Sequence, residues 1–445
     1  MNIIKYILLF IFITACKANT LNHYVPYNSL KESNDFKIQV NGNKIFVAKQ
    51  TYFGNQEFNT SQYDVKGKTT IEIICSENIE NFEIRPYHLK IKGKIEGNKL
   101  TFTQIKPQML FIEINNFKPL CLFQTPPETS IPNKNDANVI FFSKGVHEVG
   151  IIKPKSGQTI YLEQGAIVKG RIYGENIENI TIKGRGILDA NGYTSKKEKI
   201  CAIEFKKSKN IKIDGIGLRS GEWWQTLFLL CDNVEVSNMN LMSFGLNNDG
   251  IDIDGVTNLS VKNCFIGCGD DGFGWHAVDG EKNGQPPTKN CIAKDCIIYN
   301  AYAGNGLRVG ASMETELFEN ISFKNITVLH HMNAAIRSDH SDWATCKKIK
   351  FKNFYIEQPG KAIEIKIEKT IYSNSTGYRD ERGHINGLYF KNIFAPKGSI
   401  ILEGYDKNHL IENVHFKNVV LGDRKIISKD DIETNAFVKN ITFKK

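Results

Sequence analysis

Two short motifs hold three aspartates at a spacing that can do chemistry. The first is Asn247-Asn248-Asp249-Gly250-Ile251-Asp252 and the second is Gly269-Asp270-Asp271-Gly272. Asp249 precedes Asp270 by 21 residues, about one coil of a parallel β-helix. Equivalent points on successive coils stand only ~4.8 Å apart, so this spacing stacks Asp249 beside the Asp270–Asp271 pair. Crowded carboxylates cannot all ionise freely: one keeps its proton while a neighbour stays charged. Acid/base cleavage of a glycosidic bond uses that division. Either motif alone is a surface turn more often than a site. The pair, one coil apart inside a repeat, points to a site.

The elements that position these residues repeat. A turn residue, often Asn, precedes a short run of alternating apolar and polar positions. Asn179-Ile180-Thr181-Ile182, Asn210-Ile211-Lys212-Ile213 and Asn233-Val234-Glu235-Val236 are examples. Asn258-Leu259-Ser260-Val261, Asn320-Ile321-Ser322-Phe323, Asn413-Val414-His415-Phe416 and Asn440-Ile441-Thr442-Phe443 continue the series. Alternation with period two reads as strand, and recurrence reads as a stacked array in which neighbouring coils share one core. A Leu-x-x-Leu-x-Leu ladder is missing, and the units are too short for propeller blades. The expected fold is all-β: a right-handed parallel β-helix. The repeated Asn fits either an amide ladder or simple turn preference.

A Pro- and Asn-rich stretch, Gln124-Thr125-Pro126-Pro127 to Pro132-Asn133-Lys134-Asn135, marks a boundary. Before it, short alternating runs such as Lys37–Val40, Ile71–Ile74 and Leu100–Phe102 suggest a small β-sandwich. The expected division is residues 1–15 as an export signal, 16–133 as sandwich with tether, and 134–445 as β-helix. The signal reading rests on Lys5 followed by the apolar run 6–13, too short to span a bilayer. Ile13-Thr14-Ala15-Cys16 resembles a bacterial lipobox, which implies lipidation of Cys16. The expected location is the bacterial cell envelope, outer membrane, facing periplasm or surface, with the lipid as the sole membrane contact. Of ten cysteines, Cys16 is then consumed and nine remain, so at least one is free. Cys201, Cys231, Cys264 and Cys291 fall in strand repeats and read as small core residues. Cys264-x3-Cys268 and Cys291-x4-Cys296 lack the paired His of a zinc site, and no metal or cofactor is expected. The formal net charge of +9 comes from scattered lysines. With no nucleic-acid-binding module visible, the expected partner is a polysaccharide or oligosaccharide.

The motifs together resemble a family. Asn247-Asn248-Asp249, Gly269-Asp270-Asp271, Gly304-Asn305-Gly306 and Ile336-Arg337 occur in the order of the polygalacturonase motifs Asn-Thr-Asp, Gly-Asp-Asp, Gly-His-Gly and Arg-Ile-Lys (glycoside hydrolase family 28). A sandwich followed by a β-helix is similar to the related dextranase and isopullulanase family (glycoside hydrolase family 49). The chain departs from the first pattern at three places. The family His falls at Asn305, the Lys that reads a galacturonate carboxylate falls at Asp339, and a Lys beyond the Asp pair falls at His276. A carboxylate at 339 would repel an acidic sugar, so polygalacturonate is not the expected substrate; a neutral or sulfated glycan is.

The resemblance implies inverting hydrolysis. Asp270 would protonate the leaving oxygen, while Asp249 and Asp271 orient and deprotonate the attacking water. Substrate contacts are expected from Arg337, His276, Asn305 and Arg308, and from Trp223 and Trp224 one coil before Asp249. Adjacent strand residues face opposite ways, so one of these Trp would stack on sugar and the other pack inside. The rival readings are a β-helix polysaccharide lyase and a non-catalytic glycan-binding lipoprotein.

Overall fold

The computed structural model describes residues 21–23, 30–278, 284, 286–375 and 377–444. The export signal and the Cys16 lipidation site lie outside the described residues. Leu21–His23 and residues 36–125 form two sheets, one antiparallel and one mixed. Phe36–Val40, Thr69–Cys75 and Lys99–Gln104 pair in the five-stranded one. Gln56–Val65, Leu110–Ile114 and Leu120–Thr125 belong to the six-stranded one. Ile38, Ile71, Ile73, Leu100, Leu110 and Leu122 fill the core between them.

From Val139–Phe142 onward every coil adds parallel strands to one 28-stranded sheet that winds into a right-handed β-helix. Three strand series run along it. One passes through Lys209–Asp214, Asp232–Ser237 and Thr257–Lys262. A second passes through Gly217–Arg219, Asn240–Met242 and Phe265–Cys268. The third passes through Thr226–Leu229, Ile251–Asp254, Phe273–Ala277, Leu307–Met313, Ala334–His340 and Gly360–Ile367. Alternate residues such as Ile211 and Ile213, or Ile251 and Ile253, enter one continuous core. All nine described cysteines are buried free thiols. Cys201, Cys231, Cys264 and Cys291 are small core residues among them.

Both readings of the repeated Asn hold at once. Asn179, Asn210 and Asn233 have φ near +60°, a left-handed conformation that Asn tolerates better than other non-glycine residues. Their amides also ladder: Asn210 Nδ2 donates to Asn179 at 2.9 Å, and Asn233 to Asn210 at 2.8 Å. The ladder breaks at Asn258, which donates instead to Asp232 at 2.8 Å.

The sandwich is docked against the loop that leads into the first aspartate motif. Phe244 N donates to Phe53 O at 2.9 Å, and the rings of Phe58 and Phe244 are 5.1 Å apart. Arg185 and Asp64 form a buried ion pair at 2.7 Å across the same seam. Gly54 sits at the hairpin tip with φ +85°, and a Cβ there would lie 2.5 Å from the Phe244 carbonyl carbon. A Gly54→Val variant is expected to lose on the order of 1–3 kcal/mol of stability. It should also displace the loop carrying Asp249, which paired melting and turnover measurements would detect. Unchanged melting would show that the seam yields freely.

Candidate active site

The three aspartates sit at one corner of the coil, in turns that feed the third strand series. Backbone bonds stack these turns one per coil. Gln225 N donates to Asp249 O at 2.9 Å, Gly250 N to Asp271 O at 2.9 Å, and Gly272 N to Asn305 O at 3.1 Å. Asp249 therefore lies directly beside Asp271, with Asp270 next to both. One carboxylate oxygen of each lies within 4.8 Å of the others. Asp249 and Asp271 are buried, and Asp270 is partly exposed.

A fourth carboxylate joins them. Ile251 and Ile253 point into the core, so alternation turns Asp252 to the other face, where it is fully buried. Its Oδ1 lies 3.3 Å from His276 Nε2, and its Oδ2 has no partner. Gly274 makes this contact possible: a Cβ there would lie 2.1 Å from Asp252 Oδ1.

Burial raises all four pKa values, and one guanidinium opposes it. Asp252 is raised well above the usual range by burial and then by Asp271 and Asp270, with no cation to oppose them. Asp249 is also raised well above it, by burial and then by Asp252, Asp270 and Asp271. Asp270 is pushed up to about 6, chiefly by burial and Asp271, with Arg308 pulling it back. Asp271 is raised by burial but has the most help for its charge. Asn305 donates to its Oδ1 from the backbone at 2.8 Å and from Nδ2 at 2.6 Å, and Arg308 Nη1 to its Oδ2 at 3.4 Å. The firmest negative charge is thus on Asp271, and a proton is held among Asp249, Asp252 and Asp270. The oxygen spacing would also admit a cation. Donors already engage Asp271, however, and the arrangement suits proton transfer without one.

Several sequence expectations change. Asn305 is buried and grips Asp271 rather than reaching for substrate. Arg308 is held by Asp339, with Nε at 2.8 Å from Oδ1 and Nη2 on Oδ2. Asp339 is therefore a paired charge and not a free repulsive one. Arg337 bonds Glu364 and lies 3.5 Å from Asp339 and 3.6 Å from Glu368. His276 is buried, and burial lowers its pKa to about 4, so it is neutral. Trp223 and Trp224 lie in a bend before Thr226–Leu229, so strand alternation does not separate them. Their rings stack at 5.2 Å, and Trp224 stacks on His276 at 5.4 Å. Both Trp remain partly exposed, which makes them one platform.

Sequence reasoning missed Asn248, whose Nδ2 donates to Gly221 O and, at 2.8 Å, to Trp223 O, clamping two loops. It also missed Asn300, which donates to the Asp270 carbonyl. Asn248 lies inside the first motif and Asn300 ends the strand just before Gly304-Asn305-Gly306; those places were the available signal.

Fold and cluster define a class: right-handed parallel β-helix proteins with a buried carboxylate cluster at one corner of the coil. Residues 128–440 match the family described as glycosyl hydrolases family 28, and the chain belongs to it. It is similar to polygalacturonase QRT2 of Arabidopsis thaliana, with 22% identity over 270 residues, 56% of this chain and 59% of the relative. It is also similar to an endo-polygalacturonase of Pectobacterium carotovorum subsp. carotovorum, with 26% identity over 250 residues, 55% of this chain and 56% of that one. The chain thus spans a little over half the length of these two curated relatives. Among solved structures, Dex49A from Penicillium minioluteum aligns with TM-score 0.60 at 10% identity, covering 95% of this chain and 96% of that one. An exopolygalacturonase from Thermotoga maritima aligns with TM-score 0.52 at 16% identity, covering 69% and 83%. At such identities the likeness is one of fold.

Proposed function

We propose that the protein is an exported glycoside hydrolase that cleaves a polysaccharide or oligosaccharide with inversion. The observation that carries this is the buried Asp249–Asp270–Asp271 cluster with its unequal support for charge. Asp270, partly exposed and titrating near 6, gives its proton to the leaving oxygen. Asp271, charged and supported by Asn305 and Arg308, removes the proton from water. Asp249 orients that water. One oxygen of each carboxylate lies within 4.8 Å of the others, closer than the ~6.5–9.5 Å usual for inverting pairs; the resemblance to glycoside hydrolase family 28, and not this spacing, supports inversion. The N-terminal pattern adds a place of action: a lipoprotein held at Cys16 in the bacterial cell envelope, on the outer membrane.

The substrate proposed is a glycan without a carboxylate at the cleaved sugar. The reason is no longer repulsion by Asp339. Arg308 and Arg337 are both committed to protein carboxylates, and neutral His276 offers no positive charge. Neither of these two arginines is then free to read a uronate, whereas the Trp223–Trp224 platform suits the apolar face of a neutral pyranose. Purified protein should release oligosaccharides from one or more linear neutral polysaccharides at least about tenfold faster than from polygalacturonate, a difference of ~1.4 kcal/mol. Chromatography of the products reads the rate, and proton NMR of the first-formed anomer reads the stereochemistry. Efficient release of galacturonate oligomers would overturn the substrate proposal. A retained anomer would overturn inversion. Ultraviolet-absorbing unsaturated products, lost on adding chelator, would identify a lyase instead.

A further inference from the structure

Asp339 stands where the resemblance places a substrate-reading Lys, yet it faces protein. Gly274, Arg308, Arg337 and Glu364 are register partners on four successive strands. Two arginines therefore lie side by side, which is unfavourable between adjacent strands without compensation. Asp339, two residues beyond Arg337 and on the same face, contacts both. It takes Arg308 Nε at 2.8 Å and Nη2 as a fork, and Arg337 Nε at 3.5 Å. Only Nη1 of Arg308 remains for Asp271, at 3.4 Å.

We propose that Asp339 is a positioning residue for the hydrolytic base: it takes the forked donors of Arg308 and leaves Asp271 one long contact, so that the base is partly screened and not locked in an ion pair. The inference rests on the proposed role of Asp271. A base fully paired with a guanidinium holds its charge but accepts a proton poorly, because Brønsted behaviour favours a group that titrates near the working pH. A base with no cation beside it, among Asp249, Asp252 and Asp270, would not stay ionised. The shared arginine lies between these limits. The groups facing Asp271 are Asp249 and Asp252 from the coil before, Asp270 on its own turn, and Arg308 and Asp339 from the coils after. Arg337, Glu364 and Glu368 stand behind Asp339.

Removing the Asp339 charge has two effects of one sign. It takes a negative neighbour away from Asp271, and it frees the Arg308 fork to pair with Asp271. In Asp339→Asn the acidic limb of the kcat/KM profile should therefore move down by roughly one pH unit. The maximal kcat should fall about tenfold, with KM unchanged within about twofold. Asp339→Glu, which keeps two oxygens, should restore part of the limb. If Asp339→Asn folds poorly because the two arginines then repel, the double variant Asp339→Asn/Arg337→Gln removes the second cation and should show the same movement. A limb that moves up would mean that Arg308 swings away and Asp339 is only its anchor. An unmoved limb with a raised KM would make Asp339 a substrate contact. Either result overturns the proposal. Carboxyl-carbon NMR of the Asp271 titration reads the same effect without turnover. It separates a wrong positioning inference from a wrong base: if Asp271→Asn keeps its activity, the functional reading fails while the titration still reports on Asp339.

Discussion

Asp270→Asn should lower turnover by at least ~10²–10⁴-fold, the usual range for a positioned acid or base, while the protein still folds. The amide keeps the size of the side chain and much of its hydrogen bonding, but it has no proton to transfer to the leaving oxygen. Asp270 is the member of the cluster that is partly exposed, and at a pKa of about 6 it is still protonated in a useful fraction near neutrality. Asp271→Asn should cost as much, for the opposite reason: an amide cannot take a proton from water, and the donors of Asn305 and Arg308 would then face a neutral group. Asp249→Asn should also fall within this range because it places the water. Combining two of the substitutions should cost less than the two single losses together, since the three groups act as a unit. The measurement is hydrolysis rate on the best neutral substrate beside far-ultraviolet circular dichroism of each variant. A folded Asp270→Asn protein with near-normal turnover would remove the acid from the scheme and favour a glycan-binding protein.

The corner that holds these residues was legible because both of its parts are local. Period-two alternation places Ile211 and Ile213 in the core whatever lies elsewhere, and the left-handed turn Asn before each strand punctuates the coils. One coil separates Asp249 from Asp271, so their stacking could be read from the spacing alone. The contacts that decide charge were not legible in this way. Arg308 and Asp339 are 31 residues apart, and the intervening loop lengths vary from coil to coil, so no fixed period pairs them. For the same reason Asp339 read as a free negative charge when it is a paired one. Asn305 read as a substrate contact, because only the backbone register shows that it faces Asp271. Trp223 and Trp224 were misread by applying strand alternation to a bend. The family motifs named the right positions and were less informative about which neighbour each side chain would meet.

Asp270→Asn should also make the protein more stable at neutral pH. Asp270 has its pKa raised to about 6 in the folded state, against an ordinary ~3.9 in the unfolded chain. Between those values the folded protein keeps a proton that the unfolded chain has released. Stability therefore falls as pH rises through this window, and the loss is complete above about 6. At ~1.4 kcal/mol per pKa unit the penalty is on the order of 1–3 kcal/mol, shared across the coupled cluster and not owned by one residue. Asn carries no such penalty. Asp270→Asn should therefore melt above the wild type at pH 8 and nearly level with it near pH 3.5, where the carboxyl is mostly protonated in both the folded and the unfolded states. Asp252→Asn should show the same sign. Asp252 lies deeper, no cation is among the groups that set its pKa, and its Oδ2 is unpartnered; its advantage should persist to higher pH as the wild-type carboxyl resists ionising. Melting curves of both variants and the wild type from pH 3.5 to 8.5 test this. A difference that does not change with pH would mean that packing, not charge, separates the proteins. A wild type more stable than Asp252→Asn at pH 8 would mean that the cluster is held together by an ionised Asp252, contrary to the electrostatics of a carboxylate buried among carboxylates.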